Sequence, residues 1–176
     1  MMFGKIFKII LILQLFYQTS SFSKSTSFDN FNSKDLSNYF SGIVAFENKS
    51  NSKALKFFNS SKNLIKDHDP YLRKYVKTLV LEQKVSEAIN VVKKHKNENN
   101  TNFFDAHLLL ILDSLKRNDI EKAYEDLKIA FNFVGQDRLN LAILETLKQY
   151  VFVFKEKKLI NSKKNFGNLS FIAETF

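Results

Sequence analysis

Three alanines, Ala54, Ala88 and Ala123, stand 34 and 35 residues apart in a chain of 176. Each lies in a stretch with helical hydrophobic spacing. One turn later each is followed by a large apolar residue, Phe58, Val92 or Leu127, and one more turn on stand Ser61, His95 and Ala130. Two helices of a hairpin approach closely only where one of them carries a small side chain, and every stacked hairpin repeats that demand. The period therefore predicts a stack of about three to four helical hairpins.

Composition agrees with helices. The chain has one proline and four glycines, too few for the tight turns of an all-β fold, and 44% hydrophobic residues, enough for a core. The helix-end chemistry falls at the breaks between the apolar stretches. Asp69 followed by Pro70 reads as an N-cap and a first-turn proline. Ser52 is placed to cap the helix of Ala54. Asp119 opens the helix of Ala123, with Glu121 in its first turn, where a carboxylate suits the helix dipole. Gly135 is placed to close the third unit. In the first unit Gly42 sits opposite Ala54 on the preceding helix and would let the two backbones approach.

These residues resemble the tetratricopeptide repeat (TPR). Gly42 matches the small residue of the first helix, Ala54 and Phe58 match the second helix, and Asp69-Pro70 match the start of the next unit. The run from Tyr39 to Ala45 (YFSGIVA) is similar to the opening of exported TPR proteins of alphaproteobacteria. Val76 and Ile111 depart from the pattern where the small residue belongs, and His95 stands where the later alanine belongs. The resemblance implies an all-α fold, a right-handed superhelical solenoid of antiparallel helix pairs, over residues 33–154. Its units run at about 35–68, 69–103 and 104–136, with a partial fourth from 137. Residues 155–176 then read as a degenerate or truncated continuation of the array.

The first residues read differently. Lys5 and Lys8 precede an apolar run at 9–17, and a small polar stretch follows at 18–23. This is the layout of a secretory signal peptide over 1–23, with cleavage after Ser23 or, as a second choice, after Ser21. The run is too short to span a bilayer, which takes roughly 20 residues. An uncleaved anchor or a buried first helix is the alternative. Residues 24–32 read as a flexible lead-in rich in Ser and Asn. The expected location is thus the periplasm or cell envelope, with membrane contact only through an uncleaved N-terminal segment.

The net charge of +9 comes mostly from scattered lysines. Removing the leader takes two of the 27 basic residues, leaving 25 against 18 acidic ones. A scattered excess reads as a solvated surface rather than a nucleic-acid footprint. With no cysteine, disulfides, thiolate zinc sites, thiol catalysis and a lipoprotein anchor are excluded.

No catalytic, cofactor or metal constellation is legible. His68, His95 and His107 lack the i,i+4 spacing of a helical metal pair, the glycines are isolated, and no G-x-S-x-G occurs. The expectation is a protein that binds rather than catalyses. By the resemblance, the first helices of successive units line a concave groove for a protein or peptide partner. Its lining would be Tyr39, Ile43 and Phe46, then Arg73, Lys77 and Val80, then Leu108, Leu112 and Leu115. Arg73 and Lys77, one turn apart, would meet a carboxylate or acidic segment. Tyr39 and Ile43 stand where carboxylate-clamp TPRs use Lys and Asn, so that recognition mode is not expected. The alternative function is binding of anionic lipid or nucleic acid through Lys-rich stretches such as 155–164.

Overall fold

The computed structural model describes residues 32–66, 68–96 and 101–157. The signal segment 1–23, residues 24–31 of the lead-in and residues 158–176 lie outside them. The described residues are all-helical and repeat-like, with no β-strand among them. They form α1 (Ser33–Glu47), α2 (Asn51–Asn59), α3 (Asp69–Leu81), α4 (Val85–Lys94), α5 (Phe104–Lys116), α6 (Ile120–Ala130) and α7 (Arg138–Glu156). 3-10 turns follow α2 at Lys62–Ile65 and α6 at Phe131–Phe133.

The three hairpins, α1–α2, α3–α4 and α5–α6, are built by one rule. Ala54, Ala88 and Ala123 are each fully buried, as are Phe58 and Val92, and Leu127 is nearly so. Each alanine sits at the fourth position of its helix, its N–H donating to the carbonyl of the capping residue, Ser50, Lys84 or Asp119. The residue that precedes each cap is left-handed: Lys49, Gln83 and Asn118, at φ of 58°, 60° and 59°. These turns recur at the same 34- and 35-residue interval as the alanines. In each, two backbone bonds close the first helix. Ser50, Lys84 and Asp119 donate to the carbonyls of Ala45, Leu79 and Ser114, and Lys49, Gln83 and Asn118 donate to those of Phe46, Val80 and Leu115. This is the Schellman arrangement, which satisfies helix-end carbonyls through the backbone alone.

Successive hairpins stack through two layers. α2 packs on α3 and α4 on α5, while the first helices touch one another, α1 with α3 and α3 with α5. The first stacking interface is aromatic. Tyr71 of α3 stands edge-on to Phe58 at 5.8 Å, with Tyr39 6.1 Å from the same ring. The Tyr71 hydroxyl donates to the Phe58 carbonyl, and that of Tyr75 donates to Asn59 Oδ1 at 2.8 Å. Burial raises the pKa of both tyrosines, which keeps them as donors. Complete burial of Phe58 contributes about 1.5–3 kcal/mol.

The third hairpin and α7 share a core of Phe104, Ile111, Leu127, Val134, Leu144 and Val151. Asp119 caps α6 as expected, accepting from the Lys122 N–H at 3.2 Å. Gly135 adopts φ +60° just after the second 3-10 turn, where a side chain would be strained. Asp137 caps α7 by accepting from the N–H groups of Leu139 and Asn140.

Two expected caps shift. The α2 cap is Ser50, and Ser52 lies inside the helix. The α3 cap is His68, so Asp69 is the first helical residue and Pro70 stands in the first turn. In both cases the cap side chain accepts no bond from the helix N–H groups, so residue type alone misplaced it.

Candidate partner-binding site

The nine first-helix positions expected to line a groove divide between core and surface. Tyr39 is buried in the aromatic cluster, its ring 4.7 Å from His68 and 5.7 Å from Tyr71. It supports the wall of α1 rather than facing a ligand. Leu108 and Leu115 are half-buried against the core of the third hairpin. Ile43 is half-buried. Val80 and Leu112 are exposed, the latter by 45%.

The structure brings Phe46 and Lys77 together across two hairpins. The Lys77 ammonium stands 5.9 Å from the Phe46 ring centre, and that of Lys74 stands over the same ring at 4.6 Å. Lys74 also donates to Glu47 at 2.8 Å, which holds that carboxyl below its ordinary range. Arg73 lies over the ring of Phe103, 5.2 Å from its centre. Neither Arg73 nor Lys77 forms an ion pair with a described residue. The rings therefore position two cations on the first-helix surface, Lys77 close enough to Glu47 to help hold that carboxyl ionised.

Leu112 belongs to a second feature. It lines a hollow of about 230 Å³ between α4 and α5 with Val85, Ile89 and Leu109, together with Ser86 and Asn90 and edged by Asp113 and Lys116. Asp113 is held in place by Lys93 at 2.5 Å and Arg117 at 2.6 Å, and these cations lower its pKa, Lys93 most strongly. The hollow thus has an apolar part to its lining and an edge carboxylate, Asp113, whose charge is already matched.

Sequence reasoning missed Lys74, Phe103, Val85 and Ile89. Val85 and Ile89 are a helical turn apart on α4, and their spacing could have marked them. The placement of Phe103 under Arg73 depends on a segment between hairpins, which periodicity does not reach. Of the basic stretch 155–164, residues 155–157 are described. Lys155 is engaged there by Glu121 at 2.6 Å and by the Tyr124 ring at 4.5 Å.

Among the described residues no group of three or more His, Asp or Glu side chains could hold a metal, and no helix is long and apolar enough to cross a membrane. Compared with known proteins, the chain matches no family model, no curated protein and no solved structure.

Proposed function

We propose that this chain is an exported scaffold of the TPR kind, which holds an apolar segment carrying acidic residues from another protein in the cell envelope. In this reading the hairpins continue into a right-handed superhelical array, and residues 1–23 route the chain out of the cytoplasm. The contact between successive first helices, α1 with α3 and α3 with α5, supports such an array. The observation that carries the function is the pairing of exposed cations with apolar surface on those helices. Arg73 and Lys77 are held over aromatic rings with no ion pair to a described residue, and Leu112 stands exposed over a hollow with apolar residues in its lining. Binding is the function such a surface serves, since apolar area gives affinity and unpaired charge selects the partner's sign.

The experiment is affinity capture of the mature chain from the envelope fraction of the cells that make it, with and without Arg73→Glu plus Lys77→Glu. The wild-type chain is expected to retain a defined partner, and the double reversal to lose it. A partner retained equally by both forms would sink the assignment of this surface. Capture of anionic lipid or nucleic acid instead, with affinity falling steeply as salt rises, would favour the alternative reading.

A further inference from the structure

The opposite side of α1 carries the most exposed aromatic residue among those described. Phe40 and Val44 are 56% and 60% exposed. They border an open groove of about 610 Å³ between α1 and α2, lined also by Ser37, Ser41, Ala45 and Phe57. The repeat shows what this face is built for. One period on, Ser37 and Ser41 correspond to Tyr71 and Tyr75, the two side chains that reach from α3 to the hairpin before it. The groove is therefore a hairpin-stacking face in which serines stand where the next unit has tyrosines. It is recessed where its counterpart projects.

We propose that this face pairs with the same face of a second copy of the chain across a two-fold axis. Phe40 of each copy would enter the recess over Ser37 and Ser41 of the other. Three features select that occupant. The projecting ring and the recess lie within one helical turn of each other, so a single patch is its own complement, as an isologous contact requires. The lining holds one charged residue, Lys53, which is exposed, so its ammonium can stay in water while the apolar surface pairs. Third, on the export reading above, on which this point rests, cleavage after Ser23 leaves residues 24–31 ahead of the described fold. Eight residues fall far short of the roughly 34-residue hairpin that covers the equivalent face one unit on.

Nine residues line the groove, well short of the roughly 20–30 per side of a stable interface, so the expected dimer is weak, with Kd of about 10–100 µM. Sedimentation equilibrium of the chain as cells process it, its N-terminus read by intact mass, tests this. The expected result is a concentration-dependent dimer, weakened at least about 100-fold by Phe40→Glu plus Val44→Glu while the helical circular dichroism is retained. The natural chain has no cysteine, so Ser41→Cys supplies a second readout. Under oxidation it should yield a disulfide-linked dimer, and the exposed control Asn132→Cys should not. A chain that stays monomeric to about 300 µM, or a dimer that survives the double substitution, overturns the proposal. A mass that retains Met1 refutes cleavage after Ser23 by itself, while the pairing still stands or falls on the sedimentation result.

Discussion

Gly42 lies directly beneath the ring of Phe58. A Cβ added at position 42 would come within 2.8 Å of Cε1 and 2.9 Å of Cδ1. The absent side chain on α1 is thus what allows Phe58, the largest of the register equivalents Phe58, Val92 and Leu127, to be fully buried. In the other two hairpins the register partners are Val76 with Val92 and Ile111 with Leu127, all buried. Relative to the first hairpin, both carry a larger first-helix residue and a smaller second-helix one. The departures from the small-residue pattern at Val76 and Ile111 are therefore matched by a change at the position opposite in register.

Gly42→Ala should accordingly destabilise the chain. Overpacking costs about 1–3 kcal/mol, and alanine returns roughly 1 kcal/mol of helix propensity, so a net loss of up to about 2 kcal/mol is expected. The ring has little room to yield, since Tyr39 and Tyr71 flank it. Urea unfolding of Gly42→Ala, Phe58→Leu and the pair measures the coupling. The double variant should lose less than the two single losses combined. Strict additivity would mean that the ring is not what the new methyl meets.

The hairpin turns offer a stabilising change. Lys49 and Gln83 hold left-handed backbone conformations that glycine adopts without a Cβ penalty. Lys49→Gly and Gln83→Gly should each stabilise by about 0.5–1 kcal/mol, a rise of roughly 1–4 °C in Tm. Asn118→Gly should gain less, because asparagine already tolerates this region. Thermal unfolding ranks the three, and a loss of stability at Gln83→Gly would contradict the assigned turn.

The all-helical repeat was legible because packing needs particular side chains at fixed places. Ala54, Ala88 and Ala123 had to be small, and all three are fully buried. The turns at Lys49, Gln83 and Asn118 keep the same period but were not legible. Their geometry is held by backbone bonds, and lysine and glutamine carry no turn signal. The site was legible only in part, for a similar reason. Lys77 could be placed on a first helix, but its meeting with Phe46 depends on how two hairpins approach. Tyr39 could be placed at a groove position, but the rings of His68 and Tyr71 enclose it from the next unit.

The Asp126 carboxylate is 2% exposed, and Lys96 reaches it at 2.7 Å from beyond the end of α4. One oxygen accepts from that ammonium, and the other, Oδ2, has no described partner. Lys96→Met should therefore leave a buried charge without its cation. Because Lys96 is itself 37% exposed, solvent moderates the effect, and a loss of about 1–3 kcal/mol is expected in urea unfolding. Adding Asp126→Leu to Lys96→Met should recover most of the loss, since the unmatched group is then gone.

His107 gives the chain a pH dependence of its own. Its ring stacks on Phe133 at 4.8 Å, and neither ring nitrogen has a described hydrogen-bond partner. Burial lowers its pKa below the ordinary 6.5, and Asp126, partly offset by Lys96, pulls the other way. The folded chain thus prefers the neutral ring. On acidification the unfolded chain binds the proton first, so stability should fall as the pH drops below about 6.5 and level off below the folded value. The slope from this one group is at most about 1.4 kcal/mol per pH unit. His107→Phe keeps the stacking and removes both unpartnered nitrogens. It should be at least as stable as the wild type at neutral pH and lack this part of the slope. Urea unfolding of both chains between pH 5 and 8 isolates the contribution as their difference. Parallel profiles would show that His107 titrates alike in the folded and unfolded chains.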